Sequence, residues 1–115
     1  MFEGLVVHGD KKGRELGYPT ANLDIPAKDT KCNTGVYACF AFIGKRKYPA
    51  ALIVNSRPNK VEVYLFDYDG GECYGASIQV DPVQKVSEIE RYESLEELKK
   101  KIASDIEIVK RVLKI

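Results

Sequence analysis

The chain has 115 residues, the size of one ordinary domain, with no room for a second. Eighteen Lys and Arg stand against 17 Asp and Glu, a net charge of +1, which argues against a protein held to DNA by bulk charge. Hydrophobic residues make up 44% and charged residues 30%, so a soluble globular domain over residues 1–115 is expected. No run approaches the roughly 18 apolar residues that cross a bilayer.

Phe2 to His8 reads as a first strand. From Gly9 to Thr34 the chain is irregular, and Gly9, Gly13, Gly17, Pro19 and Pro26 disfavour a continuous helix there. That stretch is too long for a plain connection, so it is partly structured or functional. Gly35 to Phe42 alternates, with Val36, Ala38, Phe40 and Phe42 on one face and Tyr37, Cys39 and Ala41 on the other. Ile43 to Arg46 turns, and Lys47 to Val54 returns as a hairpin partner in which Pro49 suggests an edge or bulge. Asn55 to Lys60 is a loop by composition. Val61 to Asp67 is the clearest strand, rich in β-branched and aromatic residues. Tyr68-Asp69-Gly70-Gly71 is a turn, and Glu72 to Val80 comes back as a strand that Pro82 helps to end.

The tail has another period. Leu95, Leu98, Ile102, Ile106, Val109 and Leu113 form one helical stripe, predicting a helix from Leu95 to Leu113. Ser94 and Glu97 match a capping box, and Glu96–Lys100, Glu97–Lys101 and Glu107–Arg111 have the spacing of supporting ion pairs on a solvated face. Hairpin-joined strands with one late helix suggest an antiparallel barrel or sandwich capped by that helix. Cys32, Cys39 and Cys73 are odd in number and form no C-x-x-C pair, so neither a disulfide framework nor a zinc site is indicated. With an N-terminus that lacks the pattern of a secretory signal, a reducing cytoplasm is the expected location. His8, the single histidine, reads as a strand-end residue.

Two features carry possible chemistry. Between Gly9 and Asn22, glycines would let backbone N–H groups approach an anion, and Lys11, Lys12 and Arg14 add positive charge. Thr20 and Asn22 supply hard oxygens of the kind Mg²⁺ accepts. These parts could hold a nucleotide polyphosphate and its metal, though composition alone leans to a flexible basic loop. Glu62 is the second feature. It shares a strand face with Tyr64 and Phe66, where it could act as a general base in a pocket wall, or simply point into water as most strand carboxylates do.

Gly13-Arg14-x-Leu16-Gly17-Tyr18-Pro19-Thr20-Ala21-Asn22 closely resembles the signature of the riboflavin kinases, including the kinase domain of bifunctional flavin-synthesising enzymes. The similarity continues at Gly35-Val36-Tyr37-Ala38, Arg57-Pro58, Glu62-Val63-Tyr64-Leu65, Tyr74-Gly75 and the closing helix. It implies a mainly β fold, a six-stranded antiparallel Greek-key barrel with a long C-terminal α-helix. It implies transfer of the ATP γ-phosphoryl group to the ribityl 5′-hydroxyl of riboflavin, giving FMN and ADP with Mg²⁺. By position, Glu62 would be the catalytic base, and Thr20 and Asn22 would bind Mg²⁺ and phosphate. Gly9 and Arg14 would lie in the nucleotide loop, with Leu65, Asp67 and Tyr74 near adenine. Ser87, Glu90 and Tyr92 would occupy the flavin-side loop.

That loop departs from the family pattern Arg-x-Glu-x-x-aromatic, keeping Tyr92 but reading Ser87 at the arginine position and Ile89 at the glutamate position. The departure leaves a second reading, a flavin- or nucleotide-binding module without turnover on the same barrel. A third, a small-barrel nucleic-acid binder using the basic loop, leaves Thr20, Asn22 and Glu62 unexplained. The expected partners are therefore riboflavin or FMN and ATP or ADP, with neither nucleic acid nor membrane, and the expected state is a monomer.

Overall fold

The computed structural model describes residues 1–7, 18, 20–68 and 74–115. His8, Gly9, Lys11, Lys12, Arg14 and Cys73, together with the Asp69-Gly70-Gly71 part of the expected turn, lie outside the described residues. Six strands are formed: β1 (Phe2–Val7), β2 (Ala21–Leu23), β3 (Gly35–Ile43), β4 (Arg46–Ser56), β5 (Asn59–Leu65) and β6 (Ser77–Ser87). A 3₁₀ turn spans Ala27–Thr30, and the helix α1 spans Leu95–Leu113, the range that the apolar stripe predicts. The strands close into an antiparallel barrel in the order β1-β2-β5-β4-β3-β6. Closure leaves no sheet edge to protect.

Several local expectations change: the strand expected to reach Asp67 ends at Leu65, and the return strand begins only at Ser77, after Tyr74 and Gly75 in a turn. The irregular stretch contains β2, three residues long, whose Val6–Leu23 and Ala21–Val63 pairings stitch β1 to β5. So short a strand has no readable alternation of its own. The expected loop at Asn55 to Lys60 is a two-residue turn, because Ser56 already pairs with Asn59. Only Arg57 and Pro58 connect the strands, through a cis peptide bond. Pro82 does not end β6, which runs on to Ser87. Proline has no N–H to give, and its partner Cys39 sits at a register shift between Ala38 and Cys39, where the ladder is already interrupted. Pro49 likewise stays inside β4, one residue beyond the start of the β4–β5 ladder at Ala50–Leu65.

Period-two alternation sorts side chains into two cores. Cys39, Ala41, Leu52, Val54, Val61, Val63, Ile78 and Val80 fill the barrel interior. At about 25 cal/mol per Å² of apolar surface removed from water, this interior is the main source of stability. Ala38, Ala51 and Phe66 point outward and are covered by Val109 and Leu113 of α1. Strands β3 and β4 are therefore buried on both faces where the helix crosses them.

Helix α1 starts with the Ser94 hydroxyl accepting from the Glu97 N–H at 3.2 Å. The Glu97 carboxylate accepts from the Glu93 N–H, one residue earlier than a standard capping box. Glu97 is thus committed to the cap, and Lys101 pairs with Asp105 at 2.5 Å instead. At the other end Lys114 adopts φ 62° and its N–H reaches the Arg111 carbonyl, closing the helix.

Candidate active site

Residues opposite each other in an antiparallel ladder share a face of the sheet. One such row crosses the outside of the barrel: Ser87 on β6, Val36 on β3, Ile53 on β4, Glu62 on β5 and Asn22 on β2. Residues far apart in sequence thereby reach one line. Thr20, two residues before Asn22, continues that face past the start of β2.

The N-terminal half of α1 stands over this row and leaves a cleft of about 570 Å³, well within the roughly 300–1,000 Å³ of small-molecule sites. Thr20, Ile53, Glu62 and Tyr64 contribute to the barrel wall. Leu98, Lys101, Ile102 and Asp105 contribute to the helix wall, and the 88–94 segment forms the rim. The apolar stripe of α1 thus has two uses. Val109 and Leu113 close the outer core, whereas Leu98 and Ile102 face the cleft and Leu95 is 55% exposed.

Glu62 is half-buried in the barrel wall, which overturns the picture of a carboxylate lying in open water. Burial pushes its carboxyl above the ordinary glutamate value, and nearby Lys60 pulls in the opposite direction. Tyr64 stacks edge-on against Tyr18 at 5.9 Å and against Phe66 at 5.3 Å, making an aromatic flank beside Glu62. Burial and the Tyr18 ring neighbour raise the Tyr64 hydroxyl, so it stays protonated.

On the rim, the Tyr92 hydroxyl donates to Glu90 Oε2 at 3.4 Å. Burial, then the Glu90 charge, push its pKa up to about 12. Ser87 is not part of the cleft lining; its hydroxyl accepts from Lys101 Nζ at 2.7 Å. Leu65 and Tyr74 pack against the barrel interior, and Asp67 follows β5 in an exposed turn at φ 56°. These three stand apart from the described lining of the cleft. Sequence reasoning missed Lys101 and treated the helix charges as a solvated face, yet the Lys101 and Asp105 side chains are only 17% and 11% exposed. A signal was available: Asp105 lies three residues after Ile102 and four before Val109, inside the apolar stripe.

Among the described residues no three His, Cys, Asp or Glu side chains cluster to cage a metal. Thr20 and Asn22 offer hydroxyl and amide oxygens on the Glu62 face. Such a sparse, hard, largely neutral donor set fits Mg²⁺, which keeps waters and shares phosphate oxygens instead of requiring an all-protein cage.

Residues 1–113 match the family model "Flavokinase: Riboflavin kinase". The bifunctional riboflavin kinase/FMN adenylyltransferase of Escherichia coli K12 is 37% identical over 111 residues, covering 90% of this chain and 35% of that protein. The enzyme of the same name from Bacillus subtilis is 31% identical over 114 residues, covering 91% of this chain and 36% of that protein. The chain thus spans about a third of the length of these curated relatives. The crystal structure of riboflavin kinase from Trypanosoma brucei superposes with a TM-score of 0.75 at 23% identity, covering 97% of this chain and 75% of that one, and so shares the fold. With the family model running almost end to end over the barrel and its helix, the chain belongs to the riboflavin kinase family, a family of transferases that use ATP.

Proposed function

We propose that the chain moves the γ-phosphoryl group of ATP to the ribityl 5′-hydroxyl of riboflavin, releasing FMN and ADP. The observation that carries this reading is the pairing of Glu62 with Asn22 across β5 and β2, on the face that the cleft and Thr20 share. A primary alcohol is a weak nucleophile. Glu62 accepts its proton as the new O–P bond forms and the bond to the ADP oxygen breaks. Raised by burial, the Glu62 carboxylate is a stronger base than a solvated one.

Thr20 and Asn22 would hold Mg²⁺ and orient the phosphates. When bound, Mg²⁺ supplies charge neutralisation to the transferred group. In this reading Gly9 and Arg14 serve the nucleotide loop, and Leu65, Asp67 and Tyr74 the adenine side. Tyr92 and Glu90 close the rim over the flavin, while Ser87 acts through its bond to Lys101 and not by direct contact. The expected setting is cytoplasmic, as a monomer acting on small molecules.

Incubating the protein with riboflavin, ATP and Mg²⁺ and resolving flavins by chromatography tests the proposal. FMN is the expected product. Folded protein that makes no FMN with any of several nucleotide donors overturns it, and tight flavin binding without product would identify a binding module instead.

A further inference from the structure

The helix wall of the cleft holds an ammonium group among apolar side chains. Lys101 sits between Leu98 and Ile102 in the lining, and its side chain is only 17% exposed. Burying a lysine is costly unless its charge is paired, and here Asp105 Oδ2 is 2.5 Å from Nζ. The Ser87 hydroxyl accepts a second hydrogen at 2.7 Å. An ammonium carries three donors, so Asp105 and Ser87 fix its position and leave one hydrogen for whatever occupies the cleft.

Position 87 gives this arrangement further meaning. Ser87 is the last residue of β6 and accepts from Lys101, so a cation carried at position 87 would reach the same end of the cleft. The other charged groups in the described lining are Glu62, Glu88, Glu90, Glu93, Asp105 and Lys60. Lys60 is on β5, two residues before Glu62 on the opposite wall, so Lys101 is the cation of the helix wall.

We propose that Lys101 is a specificity-determining residue of the flavin subsite, its third hydrogen donated to a ring carbonyl oxygen of the flavin. The proposal rests on the riboflavin kinase reading and adds the group that recognises the ring. Asp105 and Ser87 are positioning residues in this arrangement. They aim the ammonium, and Asp105 supplies its countercharge at 2.5 Å.

Titrating riboflavin fluorescence with unaltered protein, K101M and the double variant S87R/K101M, beside the KM for ATP, tests the assignment. K101M should weaken riboflavin binding by about 10-fold or more, the usual loss for a hydrogen bond from a charged donor. The KM for ATP should stay unchanged, and S87R/K101M should recover most of the affinity by returning the cation from the loop side. With 2-thio- or 4-thioriboflavin, whose sulfur is a poor acceptor, the K101M penalty should shrink for the analogue altered at the contacted carbonyl. If K101M fails to fold because Asp105 is left unpaired, K101M/D105N removes both charges and takes its place. Unchanged riboflavin affinity, a parallel rise in the KM for ATP, or an equal penalty for riboflavin and both thio analogues would overturn the inference alone. Failure of the unaltered protein to bind riboflavin would overturn the kinase reading and this inference with it.

Discussion

The inner and outer faces of the same barrel wall do different work. Inside, Leu52, Val61, Val63 and Ile78 are sealed from solvent, each at 2% exposure or less. Outside, the residues between them, Ile53, Glu62 and Tyr64, line a cleft under α1. Alternation along β4 and β5 thus separates the sealed interior from the cleft lining residue by residue. A polar or ionisable side chain can be placed on the outer row without opening the interior. The same division runs along α1, whose C-terminal half closes a core while its N-terminal half forms a wall.

If this division holds, the largest effects should come from the interior and should fall on stability. Leu52→Ala removes a fully buried side chain facing Val63 and should cost about 2–5 kcal/mol in chemical denaturation. The turnover of protein that remains folded should be little changed. Next, Glu62→Gln should lower kcat for FMN formation by roughly 100-fold while keeping the unfolding midpoint at or above that of the unaltered protein. It removes a charge that burial disfavours.

The pH dependence sharpens the same contrast. Because the folded Glu62 carboxyl is raised above 4.5, kcat should rise with pH along an acid limb centred above that ordinary value. Between the unfolded and the raised folded value, the folded state binds more protons, so this group's contribution to stability declines as pH rises through that window. A limb centred at or below the ordinary value would remove Glu62 as a buried base. The smallest effect belongs to the cap: Ser94→Ala should cost about 1 kcal/mol in the same denaturation, since one N–H loses its acceptor.

Much of the fold was legible because strong periodicity is local. The stripe from Leu95 to Leu113 predicts α1 to the residue, and the alternation of Gly35 to Phe42 finds β3. What was not legible depends on pairing. Ala21–Leu23 becomes a strand because β1 and β5 stand on either side of it, and nothing in three residues announces that. Pro82 ends a strand by rule, yet β6 absorbs it at a register shift that belongs to β3 as much as to β6. At the site, the residues flagged by the signature were the easy part. Thr20 and Glu62 come together in the cleft and Asn22 faces Glu62, whereas Lys101 was hidden among surface-like charges because its burial depends on how α1 crosses the barrel.

On the proposed reading, the outer row carries phosphoryl transfer while the interior carries stability. Its most direct test measures FMN formation and the unfolding midpoint on Glu62→Gln and Leu52→Ala side by side. A crossed result is expected: Glu62→Gln loses turnover and keeps its midpoint, and Leu52→Ala loses midpoint and keeps turnover per folded molecule. Normal turnover in Glu62→Gln would contradict it.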